Sequence, residues 1–314
     1  MNILVGYTGF VGQNLHASNM FDHVFNSQNI LEAHGLTPDL CVYAGVRAEK
    51  FRADKNPEED REHVENALYN IKEINPKKLV LISTVDVIPS PQNNAIHEDI
   101  QYECAGLTPY GKNRLHLEDE VRKAFPTTLI IRLPGLWGKG IKKNFIFDIM
   151  HPIPSMLKCE KFNELSQTEP KLIPFYKKDV DEFFRLSSDI SANDMRHLKS
   201  IFEKIGFSSL NFTDSRSRFA FYNLKCLWVH ITLLLKANIT LAHMACEPIS
   251  ANEIYEAVFK RPFHNEVMDQ PFDYSFFKTN HTPVLGGKGG YIFSKLQVLE
   301  EITSFIKDGS GHGG

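Results

Sequence analysis

The sequence is poor in the features that mark specialised proteins. Its 314 residues carry five cysteines, Cys41, Cys104, Cys159, Cys226 and Cys246. They are far apart and odd in number, which excludes zinc-finger or redox spacing and a disulfide framework. No excess of one charge is present. The net charge of −3 implies no strong attraction to nucleic acid or to an anionic membrane. Long hydrophobic runs are also missing: the most apolar stretch, 226–235, is too short to span a bilayer and contains His230 and Thr232. It reads as a buried helix. The first residues show no charged segment leading into an apolar one, so no secretory signal is expected, and a reducing cytoplasm fits best. His16, His63 and His116 form no metal-ligand set with nearby carboxylates, and no metal is expected. His97-Glu98-Asp99 reads as a solvated loop. Repeats and low-complexity segments are absent, and 309–314 reads as a flexible tail.

What the chain does have begins at once. Residues 1–5 predict a short buried strand. Gly6-Tyr7-Thr8-Gly9-Phe10-Val11-Gly12 follows, and a helix starts around Gln13-Asn14-Leu15. A strand, a glycine turn and a helix N-terminus are what a dinucleotide pyrophosphate needs. Glycines let the backbone turn tightly and approach the phosphates, and the helix end supplies N–H groups and partial positive charge. The spacing is Gly-x-x-Gly-x-x-Gly, which an ordinary strand–helix turn also produces. A nicotinamide-type cofactor is the expectation that the remaining residues must support.

Strands and helices alternate through the first half. Strands are expected at 22–26, 40–44, 78–83 and 128–133. Helices are expected at 11–18, 56–74 and 110–124, the second opened by Pro57 with acidic residues in its first turn. This βαβα pattern predicts an α/β fold with a Rossmann-type, doubly wound parallel sheet. Only 26 residues lie between Gly12 and Asp39. After one helix and one strand they leave no room for a further full unit, so the cofactor half of the sheet is expected to be a strand short or to carry an irregular connection there, with a thin adenosine rim. Beyond 138 the pattern loosens, with helices expected at 179–187, 192–205, 223–235, 248–258 and 294–306. The fourth carries a Ser250…Glu253 capping box. The organisation expected is an NAD(P)-binding domain at 1–150, a smaller substrate lobe at 151–308 with some return to the sheet, and the tail.

The strand at 78–83 runs into Ser83-Thr84-Val85-Asp86-Val87, placing a hydroxyl at the usual ligand crevice of such sheets. Pro109-Tyr110-Gly111-Lys112-Asn113-Arg114 then opens a helix. Positions 110 and 114 share a helix face. A tyrosine beside a fixed cation is expected to have a lowered pKa. With Thr84 it can move a proton to or from a carbinol oxygen while a nicotinamide exchanges hydride.

This ordered set resembles the extended short-chain dehydrogenase/reductase family, the nucleotide-sugar epimerases, dehydratases and reductases, over most of the chain. The residues that carry the resemblance are Gly6, Gly9 and Gly12, Tyr43-Ala44-Gly45, Asn66, Ser83-Thr84, Tyr110 with position 114, and Arg132-Leu133-Pro134-Gly135-Leu136-Trp137-Gly138. The 83–87 segment and the compact N-terminal half look most similar to the dTDP-4-dehydrorhamnose reductase branch. The resemblance implies Thr84 as hydroxyl partner, with Ser83 as the fallback, and Tyr110 as acid/base. It places Gly6, Gly9, Phe10, Val11, Gly12, Ala44, Gly45, Val46, Ser83, Leu133 and Pro134 on the cofactor, with Asn26 and Ser27 at its adenosine end. The family expects Tyr-x-x-x-Lys, and here position 114 is arginine, which keeps the charge but cannot enter a proton relay. Lys112 points to another face.

Cofactor choice leans slightly to NADP over NAD, because no acidic residue ends the second strand at Phe25-Asn26-Ser27. Substrate contacts are expected from Arg47, Asp86, Arg132, Lys143, Asn144 and Arg218. The run 214–223 reads equally as a diphosphate-and-base clamp or as a strand with exposed arginines and buried aromatics. Two functions stand: an NAD(P)-dependent oxidoreductase or epimerase acting on a nucleotide sugar, and a non-catalytic NAD(P)-binding sensor or scaffold. Relatives of the family imply a homodimer through the helices at 57–74 and 110–124.

Overall fold

The computed structural model describes residues 1–90, 93–100, 104–179 and 183–310. The chain forms two compact units. The first comprises Met1–Ile141, Arg218–Ile249 and Phe272–Val298. The second comprises Lys142–Ser217, Ser250–Pro271 and the chain from Leu299 on.

The first unit is built on β1 (Asn2–Val5), α1 (Phe10–Ser18), β2 (His23–Phe25), β3 (Leu40–Tyr43), α2 (Lys50–Lys55), α3 (Pro57–Ile74), β4 (Leu79–Thr84), α4 (Pro109–Ala124) and β5 (Leu129–Leu133). These strands are short and apolar, as expected of strands covered on both faces. With Leu241–His243 they form one six-stranded sheet in the order β2-β1-β3-β4-β5-(241–243), parallel at every pairing. The sheet ends at β2. Between β2 and β3 there is only a 3-10 turn at Ile30–Ala33, so the missing strand is borne out. Gly35 and Thr37 N–H groups donate to the last carbonyls of α3, Glu73 and Ile74, which pins this shortcut.

On α3 the apolar residues Val64, Ala67, Leu68, Ile71 and Ile74 face the sheet and pack on Ile3, Val5, Cys41, Tyr43, Leu79 and Leu81. Pro57 opens the helix, Glu58, Glu59 and Asp60 suit its N-terminal dipole, and Asn75 closes it in the left-handed region at φ 49°. Helix α4 is capped by the Thr108 hydroxyl, which accepts from Gly111 N–H at 3.3 Å. Its buried stripe is unusual. Alongside Leu117 and Val121 it buries Tyr110, Asn113, Arg114 and Glu118. Arg114 and Asp60 pair through both guanidinium nitrogens, at 2.8 and 3.0 Å, with both side chains buried. Asn113 donates to the same carboxylate at 2.9 Å and to the Pro57 carbonyl at 3.0 Å. The α3–α4 contact is therefore a polar lock inside an apolar layer.

In the second unit Phe183–Leu186 runs antiparallel between Met156–Lys158 and Tyr176–Lys178. The helix expected at 179–187 is thus corrected to a strand at 183–186; residues 180–182 lie outside the described residues. Phe-Phe-Arg-Leu suits either element locally, and pairing with strands on both sides decides. Helices Cys159–Thr168 and Ala192–Ile205 bury Phe162, Leu165, Leu198, Ile201 and Phe202 with Leu157 and Tyr176. The Ser250…Glu253 capping box forms as expected, with Ser250 Oγ accepting from Glu253 N–H and the Glu253 carboxylate accepting from Ser250 N–H. The final helix, Lys295–Ser310, runs two residues into the expected tail; residues 311–314 lie outside the described residues. Among the described residues no helix is long and apolar enough to cross a membrane.

Asp60→Ala strands a buried guanidinium and is expected to cost about 3–5 kcal/mol in urea unfolding. Pairing Asp60→Leu with Arg114→Met should recover most of that loss; equal losses would show that the site is sensitive to volume and not to charge. His230 is buried, with its Nδ1 accepting from the Tyr222 hydroxyl at 2.7 Å, and burial pushes its pKa down to about 4. The unfolded imidazole titrates near 6.5, so this contribution is whole above about pH 6.5 and is lost as pH falls through 4. His230→Asn keeps an acceptor for Tyr222 without the titration. Its stability should fall less between pH 7 and pH 4 than that of the parent, by roughly 1–3 kcal/mol.

Candidate active site

The glycine loop is closed by sterics. Gly6 sits at φ +89°, donates its N–H to the Phe25 carbonyl at 2.7 Å, and lies so near β3 that a Cβ would fall 2.5 Å from the Ala44 carbonyl oxygen. At Gly12 a Cβ would lie 2.0 Å from the Gly6 oxygen. Only glycine fits either place. Gly9 is the N-cap of α1 and offers no side-chain acceptor, so the first-turn N–H groups at Phe10, Val11 and Gly12 have no capping side chain. That end of α1 suits a pyrophosphate. Gly138 and Gly140 turn the chain over the same helix, where Gln13 and Asn14 side chains donate to the Lys139 carbonyl at 3.2 and 2.9 Å.

The sheet register lines up the rest of the crevice. Val5 pairs with Tyr43, Tyr43 with Leu81, and Thr84 with Leu133, so Gly6, the Ala44-Gly45-Val46 turn, Thr84 and Leu133-Pro134 follow the C-terminal edges of four adjacent strands. Asn26 begins a turn beyond β2: its N–H donates to Asn29 Oδ1 and its own Oδ1 accepts from Gln28 N–H, both at 2.8 Å, while Ser27 is exposed.

Tyr110 is 5% exposed, and the Arg114 guanidinium lies over its ring face, 4.3 Å from the centroid. Arg114 also donates to the Arg47 carbonyl at 2.5 Å, which ties the loop after β3 to α4. The expected lowering of the Tyr110 pKa is corrected. Burial raises it, and the Arg114 charge does not offset that rise. Asp86 and Asp60 push in the same upward direction. The Asp54 carboxylate accepts from Tyr110 N–H at 3.0 Å and so fixes the first turn of α4. Thr84 Oγ1 donates to Asp86 Oδ2 at 3.0 Å and accepts from Asp86 N–H at 3.2 Å, while Lys50 pairs with Asp86 Oδ1 at 2.5 Å.

The residues expected on substrate are Arg47, Asp86, Arg132, Lys143, Asn144 and Arg218. Asp86 is held by Lys50, and the exposed Arg47 points its guanidinium at His63 on α3, 3.4 Å away. Arg132 is buried and grips Glu118 through three contacts of 2.6–3.2 Å. Ser83 donates to the same carboxylate at 2.5 Å. The network continues to His243, whose Nδ1 donates to the Lys278 carbonyl and whose Nε2 accepts from Arg132. That tautomer is the neutral one, in keeping with burial, which lowers the His243 pKa. Glu98 closes it, accepting from His243 N–H, the Thr279 hydroxyl and Asn280 N–H at 2.6–2.8 Å. The solvated loop expected at 97–99 is corrected on this point: the Glu98 side chain is 7% exposed and anchors the network. Lys143 is exposed, and the Asn144 side chain accepts from Ile146 and Phe147 N–H groups as a helix cap. Arg218 faces Asp273 at 3.9 Å, and Arg216 is neutralised by Asp214 and Glu266.

Sequence reasoning missed Asp60, Lys50, Asp54, Glu118 and His243. Two were signalled. Asp60 is in phase with Val64, Ala67 and Ile71, and Glu118 lies beside Leu117, one turn before Val121. A carboxylate in register with an apolar stripe requires a buried cation.

No family model matches the chain, and no curated protein matches it. Solved structures do. The dTDP-4-dehydrorhamnose reductase of Yersinia enterocolitica is 14% identical, with a TM-score of 0.62 over 98% of both chains. That of Bacillus anthracis, in complex with NADP, is 15% identical, with a TM-score of 0.63 over 98% of this chain and 97% of the other. A UDP-N-acetylglucosamine 4-epimerase from Methanobrevibacter ruminantium is 12% identical, with a TM-score of 0.61 over 98% and 96%. With its parallel sheet, its glycine turn at the first helix and these neighbours, the chain has the fold of the extended short-chain dehydrogenase/reductase enzymes.

Proposed function

We propose that this chain binds NAD(P), with a lean to NADP, and acts as an oxidoreductase or epimerase on a nucleotide sugar or a similar polar carbonyl compound. Tyr110 is its acid/base and Thr84 its hydroxyl partner. The observation that carries the reading is the alignment of four features: the glycine cradle, the 44–46 turn, the Thr84–Leu133 pair, and Tyr110 backed by Arg114. The neighbours named above include a reductase in complex with NADP and an epimerase of a nucleotide sugar, which supports the same class.

A bound nicotinamide supplies or accepts the hydride. The chain supplies the rest. Tyr110 holds a proton at Oη and transfers it to or from the reacting oxygen, and Thr84 Oγ1 positions that oxygen. Arg114 holds the ring without exchanging a proton, because guanidinium stays charged. Leu133 and Pro134 exclude water beside the reacting carbon. A second reading, an NAD(P)-binding protein without turnover, is favoured by one observation: the Arg114 fork is already engaged by Asp60 and the Arg47 carbonyl.

Tyr110→Phe separates the two. Under the catalytic reading kcat falls by about 100-fold or more while the thermal shift given by NADPH is kept. Unchanged cellular activity in Tyr110→Phe, together with loss of activity in a Gly9 variant, would establish the binding reading instead. Gly12→Ala forces the Gly6–Gly12 turn apart and should cost about 1–3 kcal/mol of stability. It should also abolish the shift that millimolar NADPH gives the parent. A parent protein with no shift in either NAD or NADPH would remove the dinucleotide from the proposal altogether.

A further inference from the structure

The hydroxyl of Thr84 has one hydrogen, and its place is fixed. It points to Asp86 Oδ2 at 3.0 Å, while Asp86 Oδ1 is paired with Lys50 at 2.5 Å. An ionised carboxylate only accepts, so Thr84 donates. One Thr84 lone pair is engaged by the Asp86 N–H at 3.2 Å. What remains for a ligand is a single acceptor site. In the proposed pair Tyr110 is the donor. Burial raises its pKa, so it meets a ligand as a neutral phenol with an O–H to give.

One donor and one acceptor together match a hydroxyl group, whose oxygen accepts and whose hydrogen donates. They do not match a carbonyl. A carbonyl oxygen takes the Tyr110 hydrogen bond but turns its other lone pair toward that of Thr84, and a buried acceptor without a donor is costly. We propose that the Lys50–Asp86 pair fixes Thr84 as an acceptor, so that the site selects the alcohol form of its substrate over the carbonyl form. This rests on the reading of Thr84 and Tyr110 as the pair that handles the reacting oxygen. Asp86 and Lys50 are positioning residues, because both act through Thr84. Selection of the alcohol suits a chain that holds its reduction product.

The test uses two probes that differ only at one carbon: dTDP-6-deoxyglucose, with a 4-hydroxyl, and dTDP-4-keto-6-deoxyglucose. Calorimetry of the full chain with no nicotinamide added keeps either probe from being consumed. The hydroxyl form should bind about tenfold more tightly. Asp86→Asn gives Thr84 an amide donor and frees its hydrogen, and should bring the ratio below about threefold. Thr84→Val, which keeps the shape and removes the hydroxyl, should do the same should Asp86→Asn fail to fold. A parent ratio below about threefold, a preference for the keto form, or a ratio unchanged in the folded variants overturns the inference. Binding of both probes with equal affinity overturns it alone and leaves the proposed function standing. Binding of neither at millimolar concentration overturns both.

Discussion

The candidate site depends on a carboxylate placed where an apolar residue would be expected. Asp60 stands in the buried row of α3, and its desolvation is tolerable only because Arg114 and Asn113 of α4 supply three hydrogen bonds of 2.8–3.0 Å. That requirement fixes the rotation of α4 against α3. With the rotation set, Tyr110 lies one turn before Arg114 on the same buried stripe, under the guanidinium. The Arg47 carbonyl takes a further Arg114 N–H, so the loop leaving β3 is positioned by the same group. An apolar α3–α4 contact of equal volume would hold the helices together, but it would not specify this angle as sharply, because apolar side chains tolerate small rotations and a two-point fork does not.

The lower part of the α4 stripe works in the same way on the other side of β4. Glu118 is fully buried and is surrounded by Ser83, Arg122 and Arg132. Ser83 and Arg132 are directly paired residues of β4 and β5. One carboxylate thus joins two strands and a helix just beneath Thr84 and Leu133. Arg132 carries the network on to His243, on the strand that pairs with β5; His243 holds the Lys278 carbonyl, and Glu98 ties in Thr279 and Asn280. The C-terminal edge of the sheet therefore rests on a polar layer. Its neutral imidazole lets a single cation, Arg132, serve a carboxylate and a ring without adding charge.

The frame was legible in the sequence because it is local. Strand runs, the Pro57 and Ser250 helix starts, the glycine cradle and even the missing strand follow from short stretches whose alternatives are few. The Phe183–Leu186 strand was not, because its conformation is decided by partners on both sides. Of the candidate site, Gly6, Thr84 and Leu133 fall at the C-terminal ends of β1, β4 and β5 of one parallel sheet, and Tyr110 in the first turn of α4, as their order along the chain leads one to expect. The charged residues fared differently. Arginines such as Arg132 and Arg47 look alike in a sequence whether they face a ligand, a buried glutamate or a histidine. Only the phase of Asp60 and the place of Glu118 within apolar stripes carried information about which carboxylates needed cations.

The same phase explains why an arginine at position 114 behaves unlike the lysine that the resemblance leads one to expect. A guanidinium charge beside a phenol favours the phenolate only to the extent that it is uncompensated. Here it is compensated. Asp60 lies within hydrogen-bond reach of both Arg114 nitrogens, so Tyr110 faces a nearly neutral pair and feels the Asp86 charge as well. Burial then dominates, and the phenol stays protonated. Arginine and Asp60 are two halves of one arrangement: the planar fork satisfies both carboxylate oxygens, which a single ammonium cannot do in one geometry. The arrangement gives up electrostatic activation of Tyr110 and gains a rigid α3–α4 contact. A buried Tyr110 that keeps its proton is its direct chemical consequence.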